Sequence, residues 1–172
     1  MNKILALCLL ILPFSMYAQA SFPESWMGNW KGDLQIMGVD SAKQTIPMEL
    51  VVGKHDSVGR WQWTIIYHGP KKDDIREYEL VEIDAAKGHY QVDEKNSILL
   101  DCFYFNGMLT SRFEVDNSLL LINYSEGEEG LRFEVFWGKL GTKEETGLEV
   151  KENQIFSYPV SAYQYALLKK AP

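Results

Sequence analysis

Cysteine is scarce in this sequence, and its scarcity limits both redox chemistry and cross-linking. The 172 residues include two cysteines, Cys8 and Cys102, and Cys8 lies in an N-terminal segment with the features of a cleaved signal. A single remaining cysteine cannot form an intramolecular disulfide, so the mature fold must be held together by packing. Cys102 lies in an apolar stretch with no neighbour that would lower its pKa, so we expect a buried, inert thiol.

Residues that usually mark an active site or a metal centre are also lacking. The three histidines, His55, His68 and His89, lie on separate segments, and none has a second metal ligand at helical or strand spacing. The sequence contains no Gly-Xaa-Ser-Xaa-Gly elbow, phosphate-binding glycine loop or calcium loop. We therefore predict no catalytic residue, no metal site and no cofactor.

Positive charge and long apolar runs are limited as well. The net charge is −7, from 17 Lys and Arg against 24 Asp and Glu, which argues against nucleic acid and anionic membranes as partners. The apolar run 4–14 is too short to predict a membrane span. It follows Lys3 and precedes Ala18-Gln19-Ala20, so residues 1–20 have the form of a secretory signal peptide cleaved near Ala20. We expect a periplasmic or secreted protein.

The remaining chain lacks a convincing helical period and instead shows alternating strands. The most informative is 28–36, where Trp30, Gly32, Leu34 and Ile36 alternate with Lys31, Asp33 and Gln35. Asn106-Gly107 between two apolar runs predicts a tight type I′ hairpin. About ten strands are predicted, at 28–36, 46–52, 60–68, 75–83, 89–93, 98–105, 108–115, 118–125, 131–137 and 160–169. Short strands joined by successive tight turns predict an all-β fold, a single antiparallel up-and-down β-barrel of about 8–10 strands within one domain, 21–172.

Gly28-Asn29-Trp30, which opens the first strand, resembles the Gly-any-Trp signature of lipocalins and fatty-acid-binding proteins. The resemblance implies a calycin-like barrel with room for an apolar cavity. The connection 38–43 is too short for the helical lid of fatty-acid-binding proteins, and Tyr163-Gln164-Tyr165 replaces their Arg-any-Tyr. A fatty-acid carboxylate site therefore cannot be carried over. Lys169 or Lys170 stands where lipocalins carry an Arg that packs across the Trp.

Aromatic side chains are the main indication of a ligand site. Seven fall on faces that we predict to point inward: Trp61, Trp63, Tyr67, Tyr104, Phe113, Phe133 and Trp137. The six other than Trp61 are the candidate ligand contacts. A packed core would use the same residues, but a ten-stranded barrel is wider than the eight-stranded kind that side chains can fill. Arg112 shares a face with Thr110 and Glu114. It either lies exposed on the outside or points inward to meet a polar ligand head.

These features favour an exported lipocalin-like protein that binds a small hydrophobic or amphipathic molecule in its barrel. The alternative is a periplasmic protein-interaction module with a packed barrel, an inhibitor or envelope accessory protein that acts through the loops 69–74, 126–130 and 138–159. A barrel enzyme would need a convergent polar cluster, which the sequence does not supply. The oligomeric state is left open.

Overall fold

The computed structural model describes residues 21–146 and 154–172, so the predicted signal peptide, 1–20, lies outside the described residues. Within these ranges the regular structure is almost entirely β. The strands are β1 (Gly28–Gly38), β2 (Gln44–Lys54), β3 (Arg60–Tyr67), β4 (Asp74–Asp84), β5 (His89–Asp93), β6 (Leu99–Phe105), β7 (Met108–Val115), β8 (Ser118–Gly127), β9 (Gly130–Lys139), β10 (Glu144–Thr146), β11 (Ile155–Ser157) and β12 (Ala162–Lys170). Single 3₁₀ turns occur at Glu24–Trp26, Ala85–Lys87 and Leu140–Thr142. A search of the described residues finds no helix long and apolar enough to cross a membrane.

Ten of the strands form a closed antiparallel barrel. Strands β1 to β9 pair in sequence order, and β12 closes the barrel by pairing with both β9 and β1. The predicted calycin-like, up-and-down, all-β barrel is therefore confirmed. Strands β10 and β11 form a separate two-stranded ribbon. The segment 138–159, which we expected to be the least regular, includes this ribbon, and its residues 147–153 lie outside the described part.

The predicted Asn106-Gly107 hairpin turn is present, and a second turn of the same kind joins β7 to β8. Asn106 and Gly107 have φ angles of 43° and 83°, and Asp116 and Asn117 have φ angles of 47° and 60°. Positive φ at both central residues is the requirement of a type I′ turn, whose twist matches the strands that it joins. These two turns fix the register of β6, β7 and β8.

The alternation of β3 and β4 defines the inside of the barrel. Trp61, Trp63 and Ile65 are buried on β3, and their partners on β4 are Leu80, Tyr78 and Arg76. Because paired residues point to the same face of a sheet, Arg76 and Tyr78 lie on the inner face with the fully buried Leu80. The opposite face of β4 carries Ile75, Glu77 and Glu79.

An aromatic plug closes one end of the barrel. Trp26 is fully buried, its Nε1 donates to Glu126 Oε2 at 3.0 Å, and its carbonyl accepts from Trp30 Nε1 at 2.7 Å. Phe22 stacks on Tyr104 with ring centroids 4.2 Å apart. Beside this plug β1 approaches β12 so closely that a Cβ at Gly32 would collide with the Leu167 carbonyl oxygen. This accounts for the glycine in the first strand.

Strand β6 is covered on its inner face alone. We expected its apolar residues to be covered on both faces or to line a cavity. Leu100 and Cys102 do line the cavity, but Leu99, Phe103 and Phe105 on the other face are exposed.

Candidate ligand-binding cavity

A large cavity occupies the barrel on the side away from the plug. Its volume is about 810 Å³, which lies in the range of small-molecule sites. It opens between the loops that join β3 to β4, β5 to β6 and β7 to β8, as shown by the presence of Gly69, Ile98 and Val115 in its lining. We call this opening the mouth. The side chains and backbone that line the cavity come from every barrel strand and are mainly apolar.

Three aromatic rings form the floor of the cavity. Trp63 meets Tyr124 edge to face with centroids 5.2 Å apart, and Tyr124 lies 4.9 Å from Phe133. Trp26 of the plug packs beneath, 6.3 Å from Trp63. Burial raises the pKa of the Tyr124 phenol well above its usual value, so this hydroxyl stays neutral. The floor therefore separates the cavity from the plugged end with uncharged aromatic surface.

The walls are aliphatic. Ile65, Leu109, Leu120, Ile122 and Val135 line them. Cys102 also lines the wall, and burial raises the pKa of its thiol to about 11. A protonated thiol is a weak nucleophile. The expected burial of this cysteine is confirmed, and its inertness stays a prediction.

In the described part of the chain, the charged side chains of the cavity lie near its mouth. They are Lys72, Asp74, Arg76 and Glu94. Glu114 borders the lining, but its pairing with Leu119 places its side chain on the outer face. The Arg76 guanidinium donates from Nε and Nη2 to Asp74 Oδ2 at 3.1 and 2.9 Å. Its Cζ lies 5.0 Å from the centroid of the Tyr67 ring, in a cation–π arrangement.

Two tyrosines flank Arg76 on the inner face. Burial raises the pKa of the Tyr67 phenol to about 12, although the nearby Arg76 acts in the opposite direction. Burial also raises the pKa of Tyr78. Both phenols are therefore neutral at physiological pH and can donate hydrogen bonds.

A histidine anchors the loop that forms one side of the mouth. His68 Nε2 lies 3.0 Å from Glu49 Oε1, and Nδ1 lies 3.0 Å from Asp73 Oδ2. Hydrogen bonds to Glu49 and Asp73 raise the pKa of His68. Burial opposes ionisation of Glu49, yet hydrogen bonds from Lys31, Asn29 and His68 lower its pKa to about 2. The loop 68–74 is thus tied to β2 by an ionic network.

The backbone pairing between neighbouring barrel strands is shortest between β6 and β7. These strands share three residue pairs, Phe103 with Thr110, Tyr104 with Leu109 and Phe105 with Met108. Nearer the mouth the two strands no longer form backbone pairs. There a side-chain hydrogen bond joins them, because Ser111 Oγ donates to the Asp101 carbonyl at 2.7 Å.

The predicted ligand residues divide between three places. Trp63, Tyr67, Phe113 and Phe133 line the cavity together. Tyr104 packs against Phe22 in the plug. Arg112 and Trp137 border a separate groove of about 310 Å³ beside Leu119 and Leu121, where exposed Arg112 takes the outer of its two expected positions. Trp137 pairs with cavity-lining Leu120, so it keeps its predicted inner face but lies outside the cavity lining.

Sequence reasoning missed Arg76, Tyr78 and Tyr124. The signal for the first two was present, because Arg76, Tyr78 and Leu80 share one face of β4 and β3 has a clean inner face to pair with. The acids on β4 obscured that signal. Across 21–146 and 154–172, no group of three or more His, Cys, Asp and Glu side chains could hold a metal ion.

Comparison with known proteins supports the fold but identifies neither a family nor a function. No protein-family model matches the sequence, and no curated protein gives a significant match. The chain is similar to the crystal structure of a protein of unknown function from the DUF3598 family of Nostoc punctiforme PCC 73102. The TM-score is 0.57 at 9% sequence identity, and the match covers 84% of this chain and 47% of that one. The chain thus spans about half of that protein's length, and the likeness shows a shared fold alone.

Proposed function

We propose that this protein is an exported, lipocalin-like carrier that binds a small hydrophobic or amphipathic molecule in its barrel cavity. The observation that carries the proposal is the cavity of about 810 Å³, closed at one end by the plug and open at the other. The interior side chains do not fill the ten-stranded barrel. A packed barrel, which we kept open from the sequence, would leave no such space.

The shape of the cavity suits an elongated small molecule. On β3, Trp63 lies at the floor and Tyr67 near the mouth, four residues further on. Four residues correspond to about 13 Å along the strand. An apolar body of that length would contact rings at the floor and aliphatic side chains along the walls, with its other end at the charged mouth.

Export and family likeness are part of the same proposal. Residues 1–20 would be removed as a signal peptide, which leaves one domain, 21–172, in the periplasm or outside the cell. In support of the lipocalin likeness, Lys170 Nζ lies 5.2 Å from the Trp30 ring centroid. A cation therefore covers the Trp of Gly28-Asn29-Trp30, in the manner that the resemblance implies for an Arg.

The proposal is tested with two adjacent residues of β8 that face opposite ways. Ile122 lines the cavity, whereas Leu121 lines the outer groove. The uncharged fluorophore N-phenyl-1-naphthylamine should bind the wild-type protein and the Leu121→Trp control. Ile122→Trp should weaken binding by about tenfold or more, because the added ring occupies the cavity. Absence of binding to the wild type, or an equal effect of the two variants, would refute the proposal.

A second candidate is the interaction module, and one observation favours it. The segment after β10 carries four exposed apolar residues, Ile155, Phe156, Tyr158 and Val160. Monomeric proteins seldom leave such groups clustered without a partner. If this function holds, a Phe156→Ser and Tyr158→Ser double variant should lose a partner that is cross-linked to the wild type in its native host. Ile122→Trp should retain that partner.

A further inference from the structure

We infer that Arg76 is the head-group contact of the cavity, and that the ligand is an amphiphile with an anionic oxygen head such as a carboxylate or sulfonate. This inference rests on the proposed function and specifies its ligand class. It assigns to Arg76 the role that the sequence offered to Arg112.

The position of Arg76 suits a head group held inside the mouth. Arg76 pairs with Ile65 on the inner face, on the mouth side of Trp63, and its guanidinium reaches further toward the mouth, to the ring of Tyr67. Asp74 precedes Arg76 by two residues and lies nearer the rim. A ligand whose apolar body rests on the floor would therefore place its polar end beside the guanidinium, on the cavity side of Asp74.

The donors at this position converge on one class of ligand. An arginine carries five N–H donors, and Asp74 accepts from two nitrogens of Arg76. Tyr67 and Tyr78 line the cavity on either side, and both phenols are protonated donors at neutral pH. A planar guanidinium beside two hydroxyl donors matches an oxyanion, because hydrogen bonds to a charged acceptor are the strongest of this kind.

The ion pair with Asp74 does not block such a ligand. The Asp74 and Arg76 side chains retain 57% and 45% of their exposure, and exposed ion pairs are weak. Lys72 adds a second cation at the mouth, while Glu94 adds an acid. The acids disfavour an anion at the rim, so the favourable place for it is the inner position, where the Tyr67 ring also orients Arg76.

Two probes with the same aromatic skeleton test the inference. 8-Anilino-1-naphthalenesulfonate carries an anionic sulfonate, and N-phenyl-1-naphthylamine lacks it. Arg76→Gln in the full chain should weaken sulfonate-probe binding by about tenfold and change neutral-probe binding by less than about twofold. Arg112→Gln, which removes the same charge from the outer face, should change neither. Arg76→Lys should restore part of the sulfonate affinity, and Asp74→Asn should raise it.

The failures of the two proposals can be told apart. If the neutral probe binds in the cavity but Arg76→Gln affects both probes equally or neither, the head-group inference is wrong and the carrier function stands. The same conclusion follows if Arg112→Gln matches Arg76→Gln. If neither probe binds the wild type, both are wrong. Circular dichroism spectra that coincide for all variants exclude unfolding as the cause.

Discussion

The Arg76 guanidinium lies over the Tyr67 ring, with Cζ 5.0 Å from the ring centroid. The two residues belong to neighbouring strands and meet on the inner face of the barrel at its mouth. This contact turns a flexible arginine into a fixed group, because a planar guanidinium stacks on an aromatic face. The positive charge of Arg76 is therefore held at the mouth end of a long apolar cavity.

We therefore predict that Tyr67 positions Arg76 through its ring. Tyr67→Phe keeps the ring and should lower the affinity for 8-anilino-1-naphthalenesulfonate only slightly. Tyr67→Leu removes the cation–π contact, which is worth about 0.5–1 kcal/mol at exposed sites, and should lower that affinity several-fold. Fluorescence titration measures both. Equal affinities for the two variants would show that the ring does not position Arg76.

The plug should contribute strongly to stability. Trp26 is fully buried, its ring centroid lies 4.8 Å from that of Phe22, and its Nε1 donates a hydrogen bond to Glu126. Trp26→Ala should reduce the free energy of unfolding by about 3–5 kcal/mol, as for other large-to-small changes in cores. Urea denaturation measures this loss. Glu126→Gln, which keeps an acceptor for Trp26 Nε1, is the control and should cost much less.

The network at His68 predicts a pH dependence of stability. The pKa of Glu49 is about 2 in the folded protein against an ordinary value of 4.5, so its stabilisation is present above pH 4.5 and is lost as the pH falls toward 2. The pKa of His68 is raised above 6.5, so its stabilisation is complete below pH 6.5 and is lost as the pH rises through the folded pKa. The network should therefore stabilise the fold most between about pH 4.5 and 6.5.

An NMR titration of the His68 ring tests this account. We expect a pKa above 6.5 in the wild type and a lower value in Glu49→Gln, because the variant loses the negative partner of the imidazolium. The unfolding free energy of His68→Gln should vary less between pH 5.5 and pH 8 than that of the wild type. A His68 pKa that does not respond to Glu49→Gln would contradict the network.

The separation of β6 and β7 predicts local opening of the wall. In 99–101 and 112–115 the pairing of these two strands has ended, so the amides there that point toward the missing partner lack a ladder hydrogen bond, whereas the alternate amides pair with β5 and β8. We expect the amides without a ladder hydrogen bond to exchange hydrogen faster than the amides of 120–124, which are paired on both sides by β7 and β9. Hydrogen exchange followed by NMR measures the difference. Binding of N-phenyl-1-naphthylamine should slow the exchange in 112–115, and uniform exchange in the two regions would contradict the separation.

The fold could be predicted from the sequence because the patterns that specify its strands and turns are local. The alternation of β3, the Asn106-Gly107 turn and the Gly28-Asn29-Trp30 opening each specify structure within a few residues. Successive hairpins favoured the up-and-down order, and the structure establishes it. An open sheet would leave the first and last strands with unpaired edges. Pairing of β1 with β12 closes the sheet and removes both edges.

The site was harder to predict because its residues come together only through closure. Tyr104 and Phe133 both alternate inward, yet Tyr104 meets Phe22 at the plug while Phe133 lies at the cavity floor. Their depth in the barrel depends on strand stagger, which a period-two pattern does not contain. Arg76 was missed because acids lie on both faces of β4 and obscure the pattern; the burial of Leu80 and its pairing with Trp61 identify the inner face.

The central claim is that a small molecule occupies the barrel, and isotope-filtered NMR of the protein with N-phenyl-1-naphthylamine tests it most directly. The account predicts nuclear Overhauser contacts from the probe to the methyl groups of Ile65, Leu109 and Ile122, which line the cavity. Contacts confined to Leu119 and Leu121 in the outer groove, or no contacts at all, would contradict it.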